Sequence, residues 1–236
     1  MSIATEHFQI PVEAPKVDRV SAIWHHNTGP GARLGSPLLL ANGAGFHMQA
    51  PWMEALALGL VEQGFSVLRF NYPYKQRSVE LGRPQPPNRM PVLEAAHEQA
   101  LAALVERSGV ARPILAGKSM GARVSSYLAA RDCLVKGLVY FGYPLHPPKK
   151  PEKIRHEHFP AIVQPSLFLV GTRDPLSPLE TLRSSLKTYG GLAELEVIDD
   201  ADHGFHVRKS SGRDDQAVLA ELIARVARWD DERFGE

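Results

Sequence analysis

Short apolar runs alternate with longer stretches of helical spacing along most of the chain. The runs at 20–24, 37–41, 65–70, 112–117, 137–141, 166–171 and 193–198 read as strands. One of them, Leu38-Leu39-Leu40, is apolar on both faces. Between the runs, 52–63, 91–107, 120–131, 178–187 and 213–233 carry apolar residues three and four apart, as Trp52, Leu56 and Leu60 do, and read as helices. Gly64 stands where the first of these ends, and Pro91 suits the first turn of the second. Continuous apolar strands joined by amphipathic helices predict an α/β fold in one domain, 1–236, with a mostly parallel sheet covered on both faces. There is no internal repeat and no dividing linker.

Two segments break the alternation. Residues 72–90 hold four prolines and four basic residues, and residues 146–160 hold four prolines and three histidines. Both read as long loops, and loops of this length in a compact domain are commonly functional. Each leaves the carboxyl end of a strand, the edge at which parallel sheets bind their ligands.

The strongest local signal is Gly117-Lys118-Ser119-Met120-Gly121, a G-x-S-x-G between the strand Pro113-Ile114-Leu115-Ala116 and the helix that follows. Small residues at both ends permit a sharp strand-to-helix turn that exposes the central hydroxyl. A phosphate-binding loop ending in the same Gly-Lys-Ser needs glycine at 112, where Arg112 stands. Serine is a weak nucleophile without a base, and the base needs a carboxylate to orient it. Asp174 follows the strand 166–171, and His203 follows the strand 193–198, so the chain order is serine, acid, histidine. His206 is a rival base farther into the same loop, while Asp199, Asp200 and Asp202 read as turn formers. The candidate oxyanion donors are the N–H groups of Met120, after the serine, and of Ala44 in Asn42-Gly43-Ala44-Gly45. A dinucleotide fingerprint at that loop lacks its third glycine, because Met48 occupies the place.

Composition narrows the function classes. The 236 residues carry 27 Lys+Arg against 26 Asp+Glu, a formal net charge of +1, which argues against nucleic-acid binding driven by overall charge. At 44% hydrophobic the chain has the means to bury a core. Its single cysteine, Cys133, reads as a packing residue and fits a reducing compartment. Residues 1–10 have neither a basic start nor an apolar run, and no apolar stretch is long enough to span a bilayer, so a cytoplasmic protein without signal peptide or membrane partner is expected. His146, His156 and His158 lack a carboxylate at metal-site spacing, and neither metal nor cofactor is expected.

These motifs resemble the α/β-hydrolase superfamily, and within it the dienelactone-hydrolase-like branch. The resemblance is greatest to the group that includes the testis-expressed hydrolase-like proteins and the KANL-type subunits. It rests on Asn42-Gly43-Ala44-Gly45, Val67-Leu68-Arg69-Phe70, Gly117 to Arg123, Tyr143-Pro144-Leu145-His146-Pro147, Gly171 to Asp174 and Asp202-His203, and so runs from about residue 36 to the end. The basic residue before the serine and the Met-Gly-x-Arg after it are more specific than G-x-S-x-G. The resemblance implies an α/β-hydrolase fold without a large separate lid, with Ser119, Asp174 and His203 as nucleophile, acid and base. Asn42 departs from the histidine common before the oxyanion glycine in the wider superfamily.

The expected activity is cleavage of a small ester or thioester through an acyl-enzyme intermediate, as in a carboxylesterase, thioesterase or dienelactone hydrolase. The alternative is a non-catalytic interaction module that keeps the fold. Lys75, Arg77, Arg83 and Arg89 against Glu80 give 72–90 a net charge of +3, and 146–160 carries +2, which favours an anionic acyl group if both segments overhang the site. Tyr72, Arg77, Lys118 and His146 are the candidate substrate contacts. The sequence does not specify the oligomeric state.

Overall fold

The computed structural model describes residues 3–131 and 133–235. In chain order the elements are β1 (Ile3–Ala14), β2 (Val17–Asn27), β3 (Leu38–Ala41), α1 (Pro51–Glu62), β4 (Val67–Phe70), α2 (Pro73–Leu81), α3 (Met90–Ser108), β5 (Ile114–Lys118), α4 (Met120–Ala129), β6 (Gly137–Phe141), β7 (Ser166–Gly171), α5 (Leu179–Leu186), β8 (Ala193–Ile198) and α6 (Asp215–Phe234). The eight strands form one sheet in the order β1-β2-β4-β3-β5-β6-β7-β8. Every neighbouring pair from β4 to β8 is parallel, and the β1–β2 and β2–β4 pairs are antiparallel.

The period-two alternation of the strands divides the core. Leu39, Leu68, Leu115, Tyr140 and Phe168 point to one face and pack with Leu104 of α3 and Leu128 of α4. Leu38, Leu40, Val67, Ile114 and Val139 point to the other and pack with Leu56 of α1 and Trp229 of α6. Each such side chain, fully removed from water, contributes about 1.5–3 kcal/mol. That two-sided burial is why these strands read as continuous apolar runs.

Two expectations change. Residues 3–14 form a strand that the run-based reading passes over: Ile10 and Val12 are buried while Gln9, Pro11 and Glu13 face water. Alternation of this kind marks a half-buried antiparallel strand, so residues 1–10 supply most of β1, with Met1 and Ser2 outside the described residues. The segment 72–90 is not loop throughout, because α2 occupies Pro73–Leu81. Pro73 sits at its first turn and Gly82 closes it at φ 61°, the usual signals for starting and stopping a helix.

The sheet order reverses direction at β3. The chain steps from β3 out to β4, then returns to place β5 on the other side of β3. Ligand sites of parallel sheets form beyond the strand ends at such a reversal. Ala41 and Gly117 are register partners there, so the loops after β3 and β5 leave side by side.

Below the opposite edge, Asp230 of α6 accepts from Ser36 Oγ at 2.7 Å and pairs with Arg33 at 3.1 Å and Lys136 at 3.5 Å. Its side chain is 5% exposed, whereas Asp231, which also pairs with Arg33, is 62% exposed. Asp230→Ala is therefore expected to cost about 2–3 kcal/mol in urea denaturation by stranding buried donors. Asp231→Ala is expected to cost under about 1 kcal/mol.

Candidate active site

Ser119 lies between β5 and α4 with φ 52° and ψ −109°, a conformation that a side-chain-bearing residue adopts only under constraint. The constraint comes from close packing on both sides of the turn. A Cβ on Gly117 would lie 2.4 Å from Ala122 N, and a Cβ on Gly121 would lie 2.5 Å from Ala41 O. Only glycine lets α4 start this close to β3 and β5, and that start turns the serine outward. Ser119 N–H donates to Phe141 O at 3.0 Å, tying the turn to the end of β6.

His203 and Asp174 reach the serine from two other strand ends. Asp174 follows β7 and is buried, with Oδ1 accepting from Leu176 N–H at 2.8 Å. Its Oδ2 lies 2.8 Å from His203 Nδ1, and His203 Nε2 lies 2.8 Å from Ser119 Oγ. A carboxylate only accepts, so Nδ1 carries the proton and Nε2 is the acceptor for the serine hydroxyl. Gly142 lies against this group after β6 with φ 66°, a left-handed conformation that favours glycine, and a Cβ there would lie 3.0 Å from Lys118 Nζ. His206 does not join it; its Nδ1 lies 2.6 Å from Asp215 Oδ2 at the surface. Asp202 caps the turn, accepting from Gly204 and His206 N–H groups at 2.7 and 3.0 Å.

Lys118 is buried under this assembly and donates through Nζ to His203 O. Its Nζ also lies 4.8 Å from the centre of the Phe205 ring. Burial pulls its pKa down from 10.5 to about 8, opposed by the charges of Asp174 and Asp202.

The loop after β3 is fixed from below. Tyr74 OH donates to Ala44 O at 3.0 Å, Arg69 Nη1 donates to Met48 O at 2.7 Å, and Asn71 Oδ1 accepts from Met48 N–H at 2.9 Å. Asn42 Nδ2 donates to Gly43 O and Phe46 O at 3.0 and 2.7 Å. Gly43 passes close to the elbow, where an added Cβ would lie 3.3 Å from Lys118 O and 3.5 Å from Ser119 Cβ. Met120 is the first residue of α4, so its N–H has no acceptor within the helix.

A family model described as an alpha/beta hydrolase domain matches residues 35–231. The chain belongs to this alpha/beta hydrolase family. Solved structures give the same shape. An alpha-beta serine hydrolase homologue from Coxiella burnetii is 19% identical, with 94% of this chain and 96% of that one covered and a TM-score of 0.71. Dienelactone hydrolase from Anabaena variabilis is 19% identical over 97% and 98% of the two chains, with a TM-score of 0.73. An esterase from Pyrococcus furiosus is 16% identical over 99% and 92%, with a TM-score of 0.74. Identities this low establish the α/β-hydrolase fold.

In this α/β hydrolase a cavity of about 590 Å³ opens over Ser119 and His203. Ala44, Met120, Lys118 and His146 line it, but Tyr72 and Arg77 do not. The Tyr72 side chain is wholly buried, its hydroxyl 2.9 Å from His97 Nδ1, because the chain enters α2 there and packs the ring inward. Arg77 lies on α2 and pairs with Glu80 one turn on, at 3.7 Å. His146 Nδ1 donates to Pro147 O at 2.9 Å, and His158 Nε2 lies 2.8 Å from Ser126 Oγ. Cys133 is half-buried, and burial pushes its thiol up to about 11. Sequence reasoning missed Arg69, Asn71 and Gly142 as supports. An arginine inside the apolar run Val67 to Phe70 was the available signal for the first.

Two outcomes follow from this packing. Gly121→Ala is expected to lower stability by about 1–3 kcal/mol and to slow fluorophosphonate labelling of Ser119, because the added methyl pushes α4 off β3. Lys118 loses its proton near pH 8 when folded and near 10.5 when unfolded, so between these values the unfolded chain binds more protons and stability rises with pH. The half-buried Cys133 thiol acts in the opposite direction over this range, so the Lys118 contribution is read as a difference: from pH 8 to about 9.5 the native protein is expected to gain about 1–2 kcal/mol relative to Lys118→Met in denaturant titrations.

Proposed function

We propose that this chain is a serine hydrolase that cleaves a small ester or thioester through an acyl-enzyme intermediate. The observation that carries the reading is Ser119 Oγ at 2.8 Å from His203 Nε2 on a strained turn, with Asp174 Oδ2 at 2.8 Å from the other ring nitrogen. In the proposed reaction Ser119 Oγ attacks the substrate carbonyl while His203 Nε2 takes the hydroxyl proton. The carboxylate of Asp174 holds the imidazole in the required tautomer and stabilises the imidazolium that forms. As the tetrahedral intermediate collapses, His203 returns the proton to the departing alcohol or thiol. Water, deprotonated by the same nitrogen, then releases the acid and restores Ser119.

The developing oxyanion is assigned to the N–H groups of Met120 and Ala44. The first is a free helix-start donor, and the second lies on a loop held in place by Tyr74, Arg69 and Asn71. A donor of this kind contributes about 3 kcal/mol to the transition state. The near-zero net charge and single cysteine accord with a cytoplasmic enzyme acting on dissolved small molecules. Among the described residues no helix is long and apolar enough to cross a membrane.

A fluorophosphonate probe tests the reading. The native protein is expected to label and Ser119→Ala to remain unlabelled, with ester turnover reduced at least roughly 10⁴-fold. A native protein that resists the probe and turns over no ester or thioester would assign the fold to a non-catalytic role, as in the KANL-type resemblance.

A further inference from the structure

The cavity over Ser119 has apolar walls, among them Phe46, Met90, Leu93 and Leu176, yet two arginines line it as well. Arg123 stands on α4 four residues beyond Ser119, its N–H donating to Ser119 O at 3.1 Å. Arg155 comes from the segment after β6. Elsewhere in the chain, arginines of low exposure are ion-paired: Arg33 with Asp230, Arg69 with Glu54 and Arg225 with Glu196. Among the described residues no carboxylate forms an ion pair with Arg123 or Arg155. The Arg123 Nε is moreover buried without a hydrogen-bond acceptor. Burial, and then the charge of Arg123 beside it, lower the proton affinity of Arg155 from its ordinary value.

Like charges gathered without a counterion in a partly dry pocket are costly, and an anion relieves both costs at once. The backbone that carries Arg155 is also held in place beforehand. Arg155 N–H donates to Leu145 O at 2.8 Å, and Arg155 O accepts from Tyr143 OH at 3.2 Å. The same segment is fastened to α4 by His158, whose Nε2 lies 2.8 Å from Ser126 Oγ and whose ring packs at a tilt against that of Tyr127, 4.2 Å between centres. His146, 5% exposed, is fixed in the wall by Nδ1 donating to Pro147 O at 2.9 Å.

We propose that Arg123 and Arg155 form an anion subsite that selects substrates bearing a carboxylate on the same short molecule as the scissile carbonyl. This specificity rests on the serine-hydrolase reading above. Both arginines border the cavity that holds Ser119, so the preferred substrates are half-esters or half-thioesters of dicarboxylic acids short enough to lie within it. The apolar walls take the linker and the guanidinium forks take the carboxylate. This positive charge belongs to the cavity itself, and Arg77 on the outer face of α2 has no part in it.

The test compares monoethyl succinate, glutarate and adipate with their neutral monoamide counterparts by proton release in a pH-stat. At least one half-ester is expected to exceed its amide about tenfold or more in kcat/KM. That ratio is expected to fall by roughly 10- to 100-fold in Arg123→Gln and in Arg155→Gln, and to hold in Arg77→Gln. Equal turnover of every acid and amide pair, or a preference that survives both substitutions in folded protein, overturns the subsite and leaves the hydrolase reading intact. If no ester is turned over, calorimetric titration of Ser119→Ala with succinate, glutarate and adipate decides the subsite separately. Saturable binding that disappears in Ser119→Ala/Arg123→Gln supports it even then, and no saturable binding rejects it.

Discussion

The contact on which the site depends is the close approach of the start of α4 to the ends of β3 and β5. Gly117 and Gly121 have no side chains to hold these backbones apart, and Ser119 between them is forced to φ 52°. A strained residue persists only where its surroundings over-determine it. Here the surroundings are the two-sided apolar core that fixes the strands and the Ser119 N–H bond to Phe141 O. The same geometry sets the reach of everything else. Because Ala41 and Gly117 are register partners, the loop after β3 emerges beside the elbow, and His203 and Asp174 arrive from strands on its other side.

Beneath these groups lies a layer of buried polar side chains. Lys118 holds the backbone of His203, while Arg69 and Asn71 hold that of Met48 at the end of the loop that carries Ala44. Burying such groups is costly unless their hydrogen bonds are made, and cores can often be filled more stably with apolar residues. Each of these three bonds ends on a main-chain atom of a loop. Loops have no ladder of their own to fix them, so the buried donors and acceptors do for the site what hydrogen-bonded strands do for the sheet.

The cavity is walled by the turn that leads into α3, the start of α3 and the segment that follows β6, without a large separate lid. Arg155 in that segment is pinned at both its N–H and its carbonyl, and His158 pins the segment to α4. The wall of the pocket is thus attached to the helix that bears the elbow. Such attachment favours a pocket shaped in advance over one assembled by closure, which lowers the ordering cost of binding a small ligand.

The strands from β2 to β8, all the helices except α2, and the edge of the sheet that carries the site were legible in the sequence. Fully buried parallel strands read as unbroken apolar runs, and glycine and proline mark where helices begin and end. The half-buried β1 escaped because its signal is alternation rather than a run, and α2 because prolines masked a short helix. The sequence by itself determined the serine turn, through glycines at 117 and 121, and the chain order of Ser119, Asp174 and His203. Tertiary structure decided which charges face the cavity. Arg77 and Arg123 are equally basic in the sequence, but side-chain direction depends on helix phase and on what packs against each face. Only the folded chain turns Arg77 toward Glu80 and sets Arg123, with Arg155, in the cavity wall beside Ser119.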